Sequence, residues 1–248
     1  MKIPFSYIFV FLFSLLSLSL YSQDTEENDD DDDTPNKHSL KEDGEKQYYV
    51  FSTRVSVTVP HPISNKAFRK CFVGVYEVTG GINIMLYKRL YIGASGSNGQ
   101  LKITGNKIAN YNASMEIDNA AGKIGCDFYV GDRNRIIFSP ALSVGYNWTH
   151  YYSLVRKDPR DQHNIIPIPI ENSKYTTTYY QPELDIYFLV DDNMGVGFTF
   201  TYSSYNHTFD PYELNLDEWA PFDKYPTGNT SYLSFGIGFY YSFLHKKK

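Results

Sequence analysis

The sequence predicts an all-β fold, an eight-stranded antiparallel up-and-down transmembrane β-barrel, and three observations lead there. In the last stretch, Tyr232 to Phe243, residues Leu233, Phe235, Ile237, Phe239, Tyr241 and Phe243 alternate with Tyr232, Ser234, Gly236, Gly238, Tyr240 and Ser242. A period of two belongs to a strand, and here one face is bulky while the other is mostly small or polar. A soluble barrel turns its bulk inward; a membrane barrel turns it to lipid and lines a narrow lumen with small and polar side chains. Second, the chain beyond Gln47 divides into eight such runs whose connections alternate long and short. Third, no later segment approaches the roughly 18 consecutive apolar residues of a spanning helix. Strands closed into a barrel are the other way to satisfy a backbone in lipid. Composition agrees, since 23 Tyr, 17 Phe and 17 Gly in 248 residues favour strands and turns.

The chain begins with Lys2 and an apolar run from Phe5 to Leu20, then Ser22-Gln23-Asp24. Residues 1–22 are expected to be a signal peptide cleaved near Ser22, and with no Cys there a lipoprotein is not expected. Residues 23–46 read as an acidic disordered linker: Asp24 to Lys46 holds 11 acidic and 3 basic residues, including the run Asp29 to Asp33, and almost nothing apolar. That run is a solvated linker or, alternatively, a weak divalent-cation or export tag. Because the whole chain carries a net charge of −5, the acidity belongs to this segment and the remainder is slightly basic. Residues 47–244 form the barrel and 245–248, ending in Lys246 to Lys248, a solvated basic end.

The first run, Tyr49 to Val59, sets Tyr49, Phe51, Val55, Val57 and Val59 against Ser52, Arg54, Ser56 and Thr58, and a Pro-containing loop, Pro60 to Ala67, follows. The second, Lys70 to Leu86, places Phe72, Tyr76, Val78, Ile82, Ile84 and Leu86 outward and Glu77, Thr79, Gly81 and Asn83 inward. Tyr87-Lys88-Arg89 turns into the third, Leu90 to Ile103, Gly- and Ser-rich and the weakest pattern. The fourth, Ala113 to Val130, sets Ile124, Cys126, Phe128 and Val130 against Lys123, Gly125 and Asp127. After the turn Gly131 to Asn134, the fifth run faces Ile136, Phe138, Leu142, Val144, Tyr146 and Trp148 outward and Ser139, Ala141, Ser143, Gly145 and Asn147 inward. A long loop, Leu154 to Lys174, leads to the sixth, Tyr175 to Val190, where Leu184, Ile186, Phe188 and Val190 oppose Gln181, Glu183 and Asp185. Asp191 to Asn193 turns into the seventh, with Met194, Val196, Phe198, Phe200 and Tyr202 outward, and the loop Thr208 to Asn229 precedes the closing strand. Each run supplies the roughly 9–11 residues that a tilted spanning strand needs. Tyr48, Tyr49, Tyr87, Tyr91, Tyr151, Tyr152, Tyr179, Tyr180 and Tyr241 near the run ends are expected in interfacial girdles.

On this pattern the chain resembles the eight-stranded outer-membrane β-barrel family of Bacteroidota-type bacteria and, distantly, small barrels of the OmpA and OmpX kind. The likeness covers Gln47 to Phe243 and is one of pattern rather than of a residue motif. It implies the outer membrane, both termini and the short turns in the periplasm, and the four longer loops outside. It implies outer-membrane lipid and lipopolysaccharide as surroundings. The closing strand, through Phe239, Tyr241 and Phe243, resembles the signal read by the barrel-assembly machinery, although Leu244 to Lys248 follow where a terminal Phe is usual.

Function is less legible. Arg54, Glu77, Lys123, Asp127, Glu183 and Asp185 all face the lumen, and buried charges must pair. Their network is a plug in a lumen wide enough only for side chains, or alternatively a gate in a narrow channel; Arg54 with Glu77 is the expected pair. Some small barrels are lipid A-modifying enzymes, and His150, Ser153, His207 and Asp210 lie at the rim where such chemistry would sit, but no motif surrounds them and no enzyme is expected. Cys71 and Cys126 are too far apart to bridge, with Cys126 facing lipid. No metal-ligand spacing is present and no cofactor is expected, nor is nucleic acid, for want of a basic stripe. Tyr212, Trp219, Phe222 and Tyr225 in the last long loop are either a surface-binding patch or a cap folded onto the barrel.

Overall fold

A computed structural model describes residues 49–87, 89–103, 111–131, 135–156, 165–167, 174–210 and 228–244. Its strands are β1 (Tyr49–Pro62), β2 (Phe72–Tyr87), β3 (Leu90–Ile103), β4 (Tyr111–Cys126), β5 (Phe128–Val130), β6 (Ile136–Arg156), β7 (Ile165–Pro167), β8 (Lys174–Leu189), β9 (Met194–Thr208) and β10 (Asn229–Leu244), with one helix, α1 (Lys66–Cys71), among the described residues. Each strand pairs antiparallel with the next around the order β1, β2, β3, β4, β6, β8, β9, β10, and β10 pairs back onto β1, with Val57 opposite both Val78 and Ile237. The eight-stranded antiparallel barrel is therefore closed and has no free edge. β5 continues β4 in the same register on β6, with Asp127 between them, and the Asp127 N–H donates to the Arg89 carbonyl at 2.9 Å. The fourth run thus keeps one register along β6 on both sides of Asp127.

Strand alternation sets the faces. Val55, Val57, Ile82, Ile84, Phe198, Phe200, Leu233, Phe235, Ile237 and Phe239 are exposed on the outside, whereas Ser52, Arg54, Ser56, Thr58, Asn83, Ser143 and Thr199 are buried inside. An apolar exterior around a polar interior is the polarity of a protein dissolved in lipid. Tyr87, Tyr152 and Tyr241 stand exposed near strand ends, but Tyr91, Tyr151 and Tyr179 do not join them. Those three are buried on the inward face, a correction to the girdle expectation: their parity in the strand outweighs their nearness to its end.

The end bearing the long connections is built differently. Phe68, Phe72, Leu101, Met115, Ile117, Tyr151 and Phe209 are buried together there, so the interior at this end is an apolar core. On the outer wall beside it, polarity inverts too. Asn98 Nδ2 donates to Asp118 Oδ1 at 2.8 Å, and Tyr152 Oη donates to Glu116, all on the outward face. The strands here run past the apolar belt and obey the rule of a soluble β-barrel, apolar inside and polar outside.

Two local features at this end depart from the sequence reading. β1 runs to Pro62 and the following residues form α1, where a plain loop was expected. Asn65 caps the helix: its Oδ1 accepts from the N–H groups of Ala67 and Phe68, while its Nδ2 donates to the carbonyls of Phe209 and Gly228, both at 2.9 Å. In β2, Gly74 pairs with Leu101 but Tyr76 with Gln100, so Val75 is an inserted bulge residue. The bulge reverses parity, which turns Phe72 into the interior instead of outward while Glu77 still points in.

Candidate functional site

The six charged side chains expected to face the lumen are all buried, and among the described residues they are the buried ionisable acids and bases of the barrel. They form two ion-paired groups, around Arg54 and around Lys123, which adjoin where Asp185 lies against Glu183, with Glu77 outside the ion pairs. Arg54, on the inward face of β1, pairs with Asp127: its Nη2 donates to both carboxylate oxygens, at 2.7 and 2.9 Å. Its Nη1 donates to Tyr91 Oη at 2.8 Å, to Ser139 Oγ, and more weakly to Asp185 at 3.5 Å. Ser139 Oγ donates to Asp127 at 2.6 Å and Thr199 Oγ1 donates to Asp185 at 2.7 Å. The guanidinium carbon lies 4.5 Å from the Tyr91 ring centroid and 5.7 Å from those of Tyr187 and Tyr240, a partial aromatic cage that favours a cation. One side chain thereby ties β1 to β3, β6, β8 and the β4–β5 junction.

The expected Arg54–Glu77 pair is not formed. In the β1–β2 register Arg54 stands opposite Gly81, and Glu77 opposite Thr58, so the two are displaced along the strands. Arg54 finds its anions across the lumen. A second ion pair, Lys123 Nζ to Glu183 Oε1 at 2.7 Å, links β4 to β8. Glu77 instead accepts hydrogen bonds from Ser234 at 2.8 Å, Tyr232 at 3.2 Å and Ser97 at 3.4 Å.

Sequence reasoning missed Tyr91, Tyr187, Tyr240 and Ser139 as partners of Arg54, and Thr199 as a partner of Asp185. Each lies on the inward parity of its run, so the signal was present. Inward glycines make room for the rings. A Cβ on Gly125 would strike the Tyr91 ring and come within 2.8 Å of the Pro140 carbonyl, whereas one on outward Gly122 meets nothing within 4 Å. Gly125→Val is therefore expected to destabilise the barrel by about 1–3 kcal/mol or more, and Gly122→Val to leave stability within about 0.5 kcal/mol. Urea titration of the refolded protein, followed by intrinsic fluorescence, checks this; equal effects would contradict the placement of Tyr91.

At the rim, His150 meets Tyr152 edge-on on the outer wall, and His207 stacks on Tyr175 with centroids 3.7 Å apart. Cys71 and Cys126 form no disulfide with each other; Cys71 belongs to α1, and Cys126 is buried, not open to lipid as expected. Among the described residues no three His, Cys, Asp or Glu side chains are grouped to hold a metal ion. Tyr212, Trp219, Phe222 and Tyr225, and the side chain of Ser153, lie outside the described residues. In the closing strand Phe239, Tyr241 and Phe243 are all exposed on the outer face.

No family model matches the sequence, and no curated protein does. Among solved structures, Neisserial surface protein A is similar over 78% of this chain and 97% of its own, at 10% identity and a TM-score of 0.41. The attachment invasion locus protein Ail of Yersinia pestis is similar over 77% and 97%, at 9% identity and a TM-score of 0.39. Outer membrane protein W of E. coli is similar over 80% and 100%, at 13% identity and a TM-score of 0.39. The fold itself stands on the closed strand pairing.

Proposed function

We propose that this is an outer-membrane barrel whose lumen is closed to solutes, with a structural or surface-interaction role exercised through its long loops rather than by catalysis. The observation that carries this reading is the Arg54 cluster. An eight-stranded barrel is only wide enough to be filled by side chains, and here a guanidinium, two carboxylates and three tyrosine rings meet across it. The apolar exterior supports a lipid environment, and the pairing of Tyr49 with Leu244 puts both ends of the barrel together at the end of the short turns. On this reading that end faces the periplasm, the long loops meet lipopolysaccharide and external partners, and the barrel-assembly machinery inserts the chain.

Heat-dependent gel mobility of the protein in the outer-membrane fraction tests the location, and planar-bilayer recording tests the closed lumen. Wild type is expected to give no steady conductance, and Arg54→Ala to give measurable openings. A wild type that conducts steadily, with a current altered by Arg54→Ala, would replace this reading with a narrow channel.

A further inference from the structure

Among the described residues, Glu77 is the buried carboxylate whose hydrogen bonds and ion pairs include no cation. Arg54 is engaged by Asp127 and Asp185, and Lys123 by Glu183. Two buried cations thus face four buried carboxylates, and a buried charge without compensation is costly.

The surrounding network suits an ionised Glu77. Asn147 Nδ2 donates to Asn119 Oδ1 at 2.9 Å, which leaves Asn119 Nδ2 to donate to Ser97 Oγ at 2.8 Å and Tyr205 Oη at 3.4 Å. Ser97 donates to Glu77, and so does Tyr232, whose hydroxyl shares a hydrogen bond with that of Tyr205. Ser234 adds a third donor. Three hydroxyls that can donate thus surround the two Glu77 oxygens, an arrangement that suits an ionised carboxylate.

An independent feature lies beside it. Thr201, buried on the inward face of β9 at 6% exposure, stands directly opposite Ser234 in the β9–β10 register, and among the described residues its hydroxyl has no hydrogen-bond partner. A charged oxygen pair and two neighbouring hydroxyls form the hard-oxygen donor set that suits a hard cation.

We propose that Glu77, with the hydroxyls of Ser234 and Thr201, holds a monovalent alkali cation, sodium or potassium, inside the barrel. Asp127 and Asp185 share Arg54 and Glu183 holds Lys123, so among the described residues Glu77 is the carboxylate of the four with no cation in contact, and one positive charge there supplies it. A divalent ion would need further carboxylates, and the neighbouring Glu183 is already held by Lys123. The site does not depend on whether the lumen conducts.

The test uses the full chain folded in detergent at neutral pH, in chloride salts of sodium, potassium or N-methylglucamine at equal ionic strength. The readout is the thermal unfolding midpoint. An ion bound only by the native state raises that midpoint, so wild type is expected to unfold several degrees higher in sodium or potassium than in N-methylglucamine. Glu77→Gln, which retains the shape of the side chain, is expected to lose the difference. If Glu77→Gln does not fold, Thr201→Val carries the test: a reduced difference supports the site and an unchanged one overturns it. A wild-type midpoint indifferent to the cation overturns it as well. So does an infrared band of a buried carboxylic acid that disappears in Glu77→Gln, since a proton would then be the counter-charge.

Discussion

Replacing Asp127 by alanine will destabilise the barrel by about 3–5 kcal/mol, the cost of leaving a buried charge without its partner. Arg54 and Asp127 are 4% and 0% exposed and meet at 2.7 Å, so solvent does little to screen them. A guanidinium cannot shed its proton to escape the loss. Asp185 remains, but with one long contact at 3.5 Å in place of the two short ones that are lost, and the Tyr91 and Ser139 hydroxyls offer neutral acceptors only. The pair need not be net stabilising, because two desolvated charges recover little beyond their own burial cost. The double variant Arg54→Met with Asp127→Leu is therefore expected to be more stable than Asp127→Ala alone. Urea titrations of the two variants in the same detergent decide the matter. A loss below about 1 kcal/mol for Asp127→Ala would be that of a solvent-exposed pair and would mean that water reaches Arg54 freely.

The fold was legible because the barrel's rule is local. Side-chain parity alone assigns the lipid-facing and lumen-facing sides of the first, sixth, seventh and last runs, and the turn at Asp191 announces itself through Asp191 Oδ1, which accepts from the N–H groups of Asn193 and Met194. Even the Gly-rich third run forms the full strand Leu90–Ile103, since ladder bonds to both neighbours hold a segment with little side-chain preference of its own. Parity failed where one residue was inserted. The bulge at Val75 turns Phe72 inward, and nothing in the sequence around Val75 marks it. The apolar core at the loop end was hidden for a related reason. Leu101, Met115 and Ile117 keep inward parity, but the strands have left the lipid there and the meaning of parity reverses.

The candidate site was legible in its members and not in its pairings. Burial of all six inward charges follows from alternation, a property each strand carries alone. Partners depend on how far the strands climb around the barrel, a property of the closed ring. Arg54 and Asp127 are far apart in sequence and in neither case adjacent along a ladder, so residue counts from a shared loop could only suggest the neighbouring strand, and hence Glu77.

Placing an arginine at Ile237 will cost about 2–4 kcal/mol, the penalty for a cation facing lipid near the midplane of a barrel wall. Ile237 is 52% exposed in the middle of β10, with Val57 and Phe198 beside it on neighbouring strands and Phe235 and Phe239 at the next outward positions. Were this wall in water, the same change would exchange an exposed isoleucine for a solvated cation, and surface changes of that kind stay within about 0.5 kcal/mol. The size of the penalty is thus set by the medium outside the wall rather than by packing within the protein. Asp118 provides the internal control: it is outward too, but on the stretch of β4 where polar side chains already cover the wall, so Asp118→Arg is expected to have little effect on insertion. Unfolding titrations of both variants in lipid vesicles distinguish the cases. Equal, small effects at the two positions would mean that the apolar wall is covered by something other than lipid.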